Sequence, residues 1–219
     1  MMKRWLICVC MLLGSAVQAD TDIKPMLDKL AAIEKDPIAL QKTLEQGRER
    51  ASLCVHCHGE DGNSKRTYIP NLASQNAEYL FLQFEHFANG RRSDYVMSKL
   101  AAGLNSDDRI AVALYFSHQT VRAREQPVAS SAAGEKTYQS VCIVCHGREG
   151  VGSAQYPYIA GQPYEFLHKS LQRFHNNEPE RRNSPMSGVI KNMTSKELQD
   201  VAAFIANMPA RSPALVDAR

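Results

Sequence analysis

Cys54-Val55-His56-Cys57-His58 and Cys142-Ile143-Val144-Cys145-His146 are two copies of one pattern, Cys-x-x-Cys-His, in a chain of 219 residues. The pattern is the attachment site of a c-type haem. The two thiols add to the haem vinyl groups as thioethers, and the adjacent histidine reaches the iron from the proximal side. Cys54, Cys57, Cys142 and Cys145 are therefore expected to carry two covalently bound haem c groups, with His58 and His146 as iron ligands. A lone copy would also suit half of a zinc site or a thioredoxin-like redox pair. Zinc would have to draw a tetrahedral set from two distant segments, and disulfides would leave both histidines without a role.

Aligning the motifs offsets the halves by 142 − 54 = 88 residues, and neighbouring landmarks recur at nearly that offset, which marks an internal repeat. Pro70-Asn71-Leu72-Ala73-Ser74-Gln75 follows the first motif and Pro157-Tyr158-Ile159-Ala160-Gly161-Gln162 the second. Each string leads into a helix-period segment, with Tyr79, Leu80, Phe84 and Phe87 answered by Phe166, Leu167, Leu171 and Phe174. An arginine pair follows in each half, Arg91-Arg92 and Arg181-Arg182, then a methionine, Met97 and Met186. A closing amphipathic helix is predicted behind Asn105-Ser106-Asp107 and behind Thr194-Ser195, where side-chain oxygens can cap the first turn. Its buried face would hold Ile110, Ala113, Leu114 and Phe116 in one half and Leu198, Val201, Ala202 and Ile205 in the other. The segments from Gly47 and Gly134 should also be helical and cross the closing helices. No alternating run predicts a sheet, so the fold class is all-α, with two tandem domains each wrapped around one haem.

Ahead of the repeat, Met1-Met2-Lys3-Arg4 is basic, Trp5 to Val17 is apolar, and Ala19 stands where a leader peptidase would cut. The apolar stretch is short for a membrane span of about 20 residues. Residues 1–19 are thus expected to be a cleaved secretory signal, making the protein periplasmic, and Cys8 and Cys10 leave with it. The organisation read from sequence is 20–46 as an N-terminal extension, 47–120 as the first domain, 121–133 as a linker, 134–209 as the second domain and 210–219 as a tail. In the extension, Ile23, Met26, Leu27 and Leu30 can form one helical face and Asp36-Pro37 can start a second helix. The sequence leaves open whether that extension packs on the first domain or docks a partner.

The formal charge is +3 for the whole chain and +1 without Lys3 and Arg4. Residues 20–120 hold 12 basic and 14 acidic side chains, a balance of −2, against 12 and 9, or +3, for 121–219. The asymmetry suits steering towards a redox partner. No basic run argues for nucleic acid.

Each iron needs a second axial ligand. Met97 lies 97 − 58 = 39 residues after His58, and Met186 lies 186 − 146 = 40 after His146, so both are read as iron ligands. Met/His ligation closes both axial positions and raises the potential. Met193 aligns with Leu104 and reads as core. His56 should project away from the iron, and His86, His118, His168 and His175 have no histidine counterparts, which makes bis-histidine ligation the weaker reading. A proximal histidine donates its other ring N–H to a fixed acceptor, and Pro70 and Pro157 are candidates to present that carbonyl. The arginine pairs could meet haem propionates or form a solvated face.

Over residues 47–209 these features together resemble the dihaem cytochrome c4 family, two class I cytochrome c domains in tandem. The resemblance implies a periplasmic electron carrier between a membrane quinol-oxidising complex and a terminal haem-copper oxidase, with room for peripheral membrane association. Three features depart from it: the long extension, His56 within the motif, and Ala51 where the second half has Tyr138, which predicts a poorer helix contact in the first half. An alternative function is the cytochrome subunit of a periplasmic dehydrogenase acting on sulfide or alcohol. A dihaem peroxidase is a third reading, for which the sequence offers no distal constellation.

Overall fold

A computed structural model of the chain describes residues 23–122, 127–181 and 184–210. The signal segment 1–19, Arg182 and tail residues 211–219 lie outside the described residues. Among the described residues all regular structure is helical. The first half comprises α1 (Lys24–Lys35), α2 (Pro37–Arg50), α3 (Val55–His58), α4 (Ala77–Ala88), α5 (Met97–Ala102) and α6 (Ser106–Ser117). The second comprises α7 (Ala132–Thr137), α8 (Ile143–His146), α9 (Tyr164–His175), α10 (Met186–Val189) and α11 (Ser195–Asn207).

Side-chain oxygens start the main helices. Asp36 accepts from the amides of Ile38 and Ala39 at the head of α2, Asn105 accepts from Asp108 N at the head of α6, and Thr194 forms a reciprocal capping box with Glu197 on α11. In each half the opening helix crosses the closing helix at a glycine. A Cβ on Gly47 would lie 2.1 Å from Ala111 O, and one on Gly134 would lie 2.2 Å from Asp200 O. Only a residue without a side chain lets the backbones of α2 and α6, or of α7 and α11, approach so closely.

The repeat is not uniform in length. Gly47 precedes Cys54 by seven residues, whereas Gly134 precedes Cys142 by eight. The extra residue is taken up by a π-helical turn over Tyr138–Cys142, which holds one residue more than an α-turn. Tyr138 thereby takes the place of Ala51, and the expectation of a poorer contact at Ala51 is corrected by what surrounds it. Ala51 is fully buried, and Tyr115 on α6 donates its hydroxyl to Glu60 O at 2.9 Å. In the second half Phe204 stands on α11, its ring 5.4 Å from that of Tyr138, and Tyr138 donates to Gly147 O at 2.6 Å. The tyrosine has changed helices, and each half still ties its crossing to the loop behind the haem motif.

The predicted faces of the closing helices are buried in full. On α6, residues Ile110 to Leu114 are all buried, because α4 covers one side and the hairpin α1–α2 the other. That hairpin answers the question left by the extension. Leu30 belongs to the first core, Ile23, Met26, Leu27 and Ile33 pack against it, and Lys29 pairs with Asp107 at 2.7 Å. A start of the first repeat at Gly47 falls within the continuous helix α2.

The halves meet through their Pro-to-Gln strings. Gln162 Oε1 accepts from Asn71 N and Gln162 Nε2 donates to Asn71 O, both at 2.9 Å. Gln75 does the same to Tyr158, accepting from its N at 2.7 Å and donating to its O at 2.8 Å. Asn76 adds bonds to the carbonyls of Val151, Ser153 and Tyr156, and Thr67 bonds Glu165 and the amide of Phe166.

Candidate functional site

Each Cys-x-x-Cys-His motif ends in a single helical turn, α3 or α8, with the histidine as its last residue. A helical turn brings residues three and four apart to one face, which places Cys54, Cys57 and His58 together and likewise Cys142, Cys145 and His146. Glycines at φ +85° (Gly59) and +74° (Gly147) then turn the chain sharply away. No disulfide joins Cys54, Cys57, Cys142 or Cys145, so all four sulfurs are available for thioether bonds. Burial pushes the Cys54 thiol up and holds Cys142 at about 11.

His58 and His146 are buried, 7% and 6% exposed. His58 Nδ1 lies 2.9 Å from Pro70 O, and His146 Nδ1 lies 3.0 Å from Pro157 O. A carbonyl can only accept, so Nδ1 carries the proton in both rings and Nε2 keeps its lone pair. Burial lowers the pKa of both imidazoles against the opposing effect of those hydrogen bonds, which favours the neutral, metal-binding form. A neutral, oriented imidazole beside two thiols on one helical turn fits covalent haem, and the fit occurs twice.

Met97 and Met186 occupy matching positions, each the first residue of a short helix, half-buried and packed against the core of its own half. The amide of Met97 donates to Asp94 Oδ1 at 3.0 Å and that of Met186 to Ser184 Oγ at 3.3 Å. Arg109, from α6, donates to Ala101 O at the end of α5 and to Glu85 of α4 at 2.6 Å, fixing the helix that Met97 begins.

Arg92 and Arg181 are not part of a solvated face, whereas Arg91 is exposed. Arg92 lies over the Phe87 ring at 4.4 Å and donates to Gln83 Oε1, while Arg181 lies over Phe174 at 5.0 Å. Burial, then the neighbouring Arg92, push the Arg181 guanidinium down to about 9. Anionic propionates suit such a pair of partly desolvated cations. Among the histidines without repeat partners, His118 Nδ1 bonds Leu114 O, and His168 stacks on Tyr164 with its Nε2 buried and without a hydrogen-bond partner. Gln75 and Gln162 stand in the sequence only as matching ends of the repeated Pro-to-Gln strings, with no role legible there. Their signal was the recurrence itself.

Among the described residues no group of three or more His, Cys, Asp or Glu side chains is arranged to hold a bare metal ion, the two motifs included. Nor is any helix of the described residues long and apolar enough to cross a membrane.

The cytochrome c family profile matches residues 131–209. Cytochrome c-552 of Acidithiobacillus ferridurans is 30% identical over 178 residues, spanning 72% of this chain and 74% of its own. The thiosulfate dehydrogenase electron acceptor of Thiomonas intermedia is 30% identical over 175 residues, spanning 73% and 80%. The crystal structure of reduced recombinant cytochrome c4 from Pseudomonas stutzeri matches with a TM-score of 0.67 at 25% identity, covering 75% of this chain and 98% of that one. Two haem c groups and an electron-transfer role, rather than substrate chemistry, follow from this likeness together with the doubled motif. With its all-helical pair of cytochrome c domains, the chain belongs to the dihaem cytochrome c4 family.

Proposed function

We propose that this protein is a periplasmic carrier that takes electrons from a membrane quinol-oxidising complex and delivers them to a terminal haem-copper oxidase. Cys54 and Cys57 would hold the first haem, with His58 and Met97 as its iron ligands, and Cys142 and Cys145 would hold the second, with His146 and Met186. Bound haem supplies a one-electron ferric/ferrous couple, raised in potential by the thioether ligand. The rest is done by the chain: the Pro70 and Pro157 carbonyls orient the imidazoles, the two cores exclude water, and Arg92 and Arg181 offer charge to the propionates. The observation that carries the reading is the duplicated buried histidine with its Nδ1–H tied to a proline carbonyl. Residues 1–19 are taken as the leader removed after Ala19, with 47–120 and 134–209 as the haem-bearing domains and 121–133 between them.

Optical spectra of the oxidised and reduced holoprotein test the ligands. A weak far-red Met-to-ferric band at an intensity fitting two haems, with no spectral change under carbon monoxide, is expected. A halved band or carbon monoxide binding would overturn Met97 or Met186. The similarity to a thiosulfate dehydrogenase electron acceptor favours one second reading, a periplasmic dehydrogenase as electron donor. Stopped-flow reduction decides between them: fast reduction by quinol-oxidising membranes supports the carrier reading, and fast reduction only by thiosulfate with its dehydrogenase replaces it.

A further inference from the structure

The carbonyl of Pro70 and the amide of Asn71 belong to one planar peptide group, as do the carbonyl of Pro157 and the amide of Tyr158. The first group accepts from His58 on its oxygen and donates from its nitrogen to Gln162 of the other half. The second accepts from His146 and donates to Gln75 of the other half. Two similar chains therefore run crosswise, from the histidine of one half, through one peptide, to the glutamine of the other, with Gln75 Oε1 also accepting from Asn76 N at 3.1 Å. Both glutamines are buried, 5% and 3% exposed. Each also donates Nε2 to the carbonyl of the residue whose amide it accepts, which locks the amide plane.

We propose that Gln75 and Gln162 are crossed positioning residues, each setting through a single peptide group the hydrogen bond of the axial histidine in the opposite half. The proposal rests on His58 and His146 binding iron, as argued above. A peptide whose N–H donates into a buried acceptor carries more negative charge on its oxygen, because linked hydrogen bonds polarise one another at low dielectric. The stronger acceptor draws the Nδ1 proton, makes the imidazole a better electron donor and favours ferric iron. Losing the glutamine removes that buried acceptor and weakens the pull, so the potential of the haem across the interface rises. The domain contact thus tunes both irons, and each iron is tuned by the half that does not hold it.

The test uses the holoprotein, with potentials from spectroelectrochemical titration and each haem resolved by its hyperfine-shifted NMR signals in the oxidised state. Gln162→Leu should raise the potential and move the histidine signals of the haem on Cys54 and Cys57, with a smaller change at the other. Gln75→Leu should give the mirror pattern. Thr67→Val removes the interface bond to Glu165 and leaves both glutamines and both proline carbonyls with their partners, so it should leave both potentials at the wild-type values. If a leucine variant fails to yield holoprotein, glutamine-to-asparagine, whose shorter amide cannot reach, gives the same comparison. Equal shifts at both haems, a shift only in the mutated half, or no shift, with the far-red Met band intact, overturns the crossed role. Absence of that band from the wild type instead overturns the ligand assignment.

Discussion

Replacing Gly47 by alanine tests the closest approach in the first half. The new Cβ would lie 2.1 Å from Ala111 O, 2.7 Å from Tyr115 Cβ and 2.8 Å from Ala111 C, all on α6. Ordinary contact begins near 3.4 Å, so α2 and α6 must part by about 1 Å, and two of the obstacles are backbone, which cannot rotate away. Overpacking costs about 1–3 kcal/mol, and an unyielding backbone puts this case near the top of that range. Alanine returns about 1 kcal/mol of helix propensity, leaving a net loss of about 2 kcal/mol. For a chain of this size that corresponds to a fall in melting temperature of about 4–8 °C, read by far-UV circular dichroism on the oxidised holoprotein. Gly103→Ala is the control, since its Cβ would make only ordinary contacts, with Leu100 O at 3.5 Å and Lys99 O at 3.6 Å, and it should melt with the wild type. A Gly47→Ala protein that melts at or above the wild-type temperature would refute the close-crossing argument.

Tyr138→Phe deletes the hydroxyl bonded to Gly147 O and should destabilise by about 1 kcal/mol, measured by urea titration. Arg109→Met strands Glu85, only 18% exposed at its side chain, and the Ala101 carbonyl. A loss of about 3 kcal/mol is expected, with the Met97 share of the far-red band disappearing on heating before that of Met186. Glu197 is held below the usual carboxylate range by hydrogen bonds from Thr194 N and Oγ. A depressed folded-state pKa contributes stability above the ordinary carboxylate value and loses it as pH falls through the folded value. The stability gap between wild type and Glu197→Gln should therefore be full at neutral pH and close on acidification, as followed by thermal melts across that range.

Much of the fold is written in local chemistry. The helix caps at Asp36, Asn105 and Thr194 and the apolar faces of α6 and α11 depend on residues a turn or two apart, and periodicity exposes them. The histidine-to-proline bonds were readable for another reason: the same proline recurs 12 and 11 residues after His58 and His146. What stayed hidden depends on geometry between segments. The face on α1 was visible, but its partner was a surface made by α2 and α6 together. The tyrosine exchange between Tyr138 and Tyr115 is invisible while Ala51 is compared with Tyr138 alone, because the compensation sits on another helix. The roles of Gln75 and Gln162 exist only once the halves are docked, since each acts on a backbone more than 80 residues away.

The hairpin α1–α2 breaks the equality of the duplication. Both halves have a glycine crossing and a core, but only the first has Leu30 pressed into it and a Lys29–Asp107 tie across its closing helix. Each helix laid over α6 must detach before the amides beneath it meet solvent, a cover that α11 does not receive from α1. Local opening follows such cover. Amide hydrogens of α11 should accordingly exchange sooner than those of α6, so that two sequence copies behave as unequal cooperative units and the second opens first.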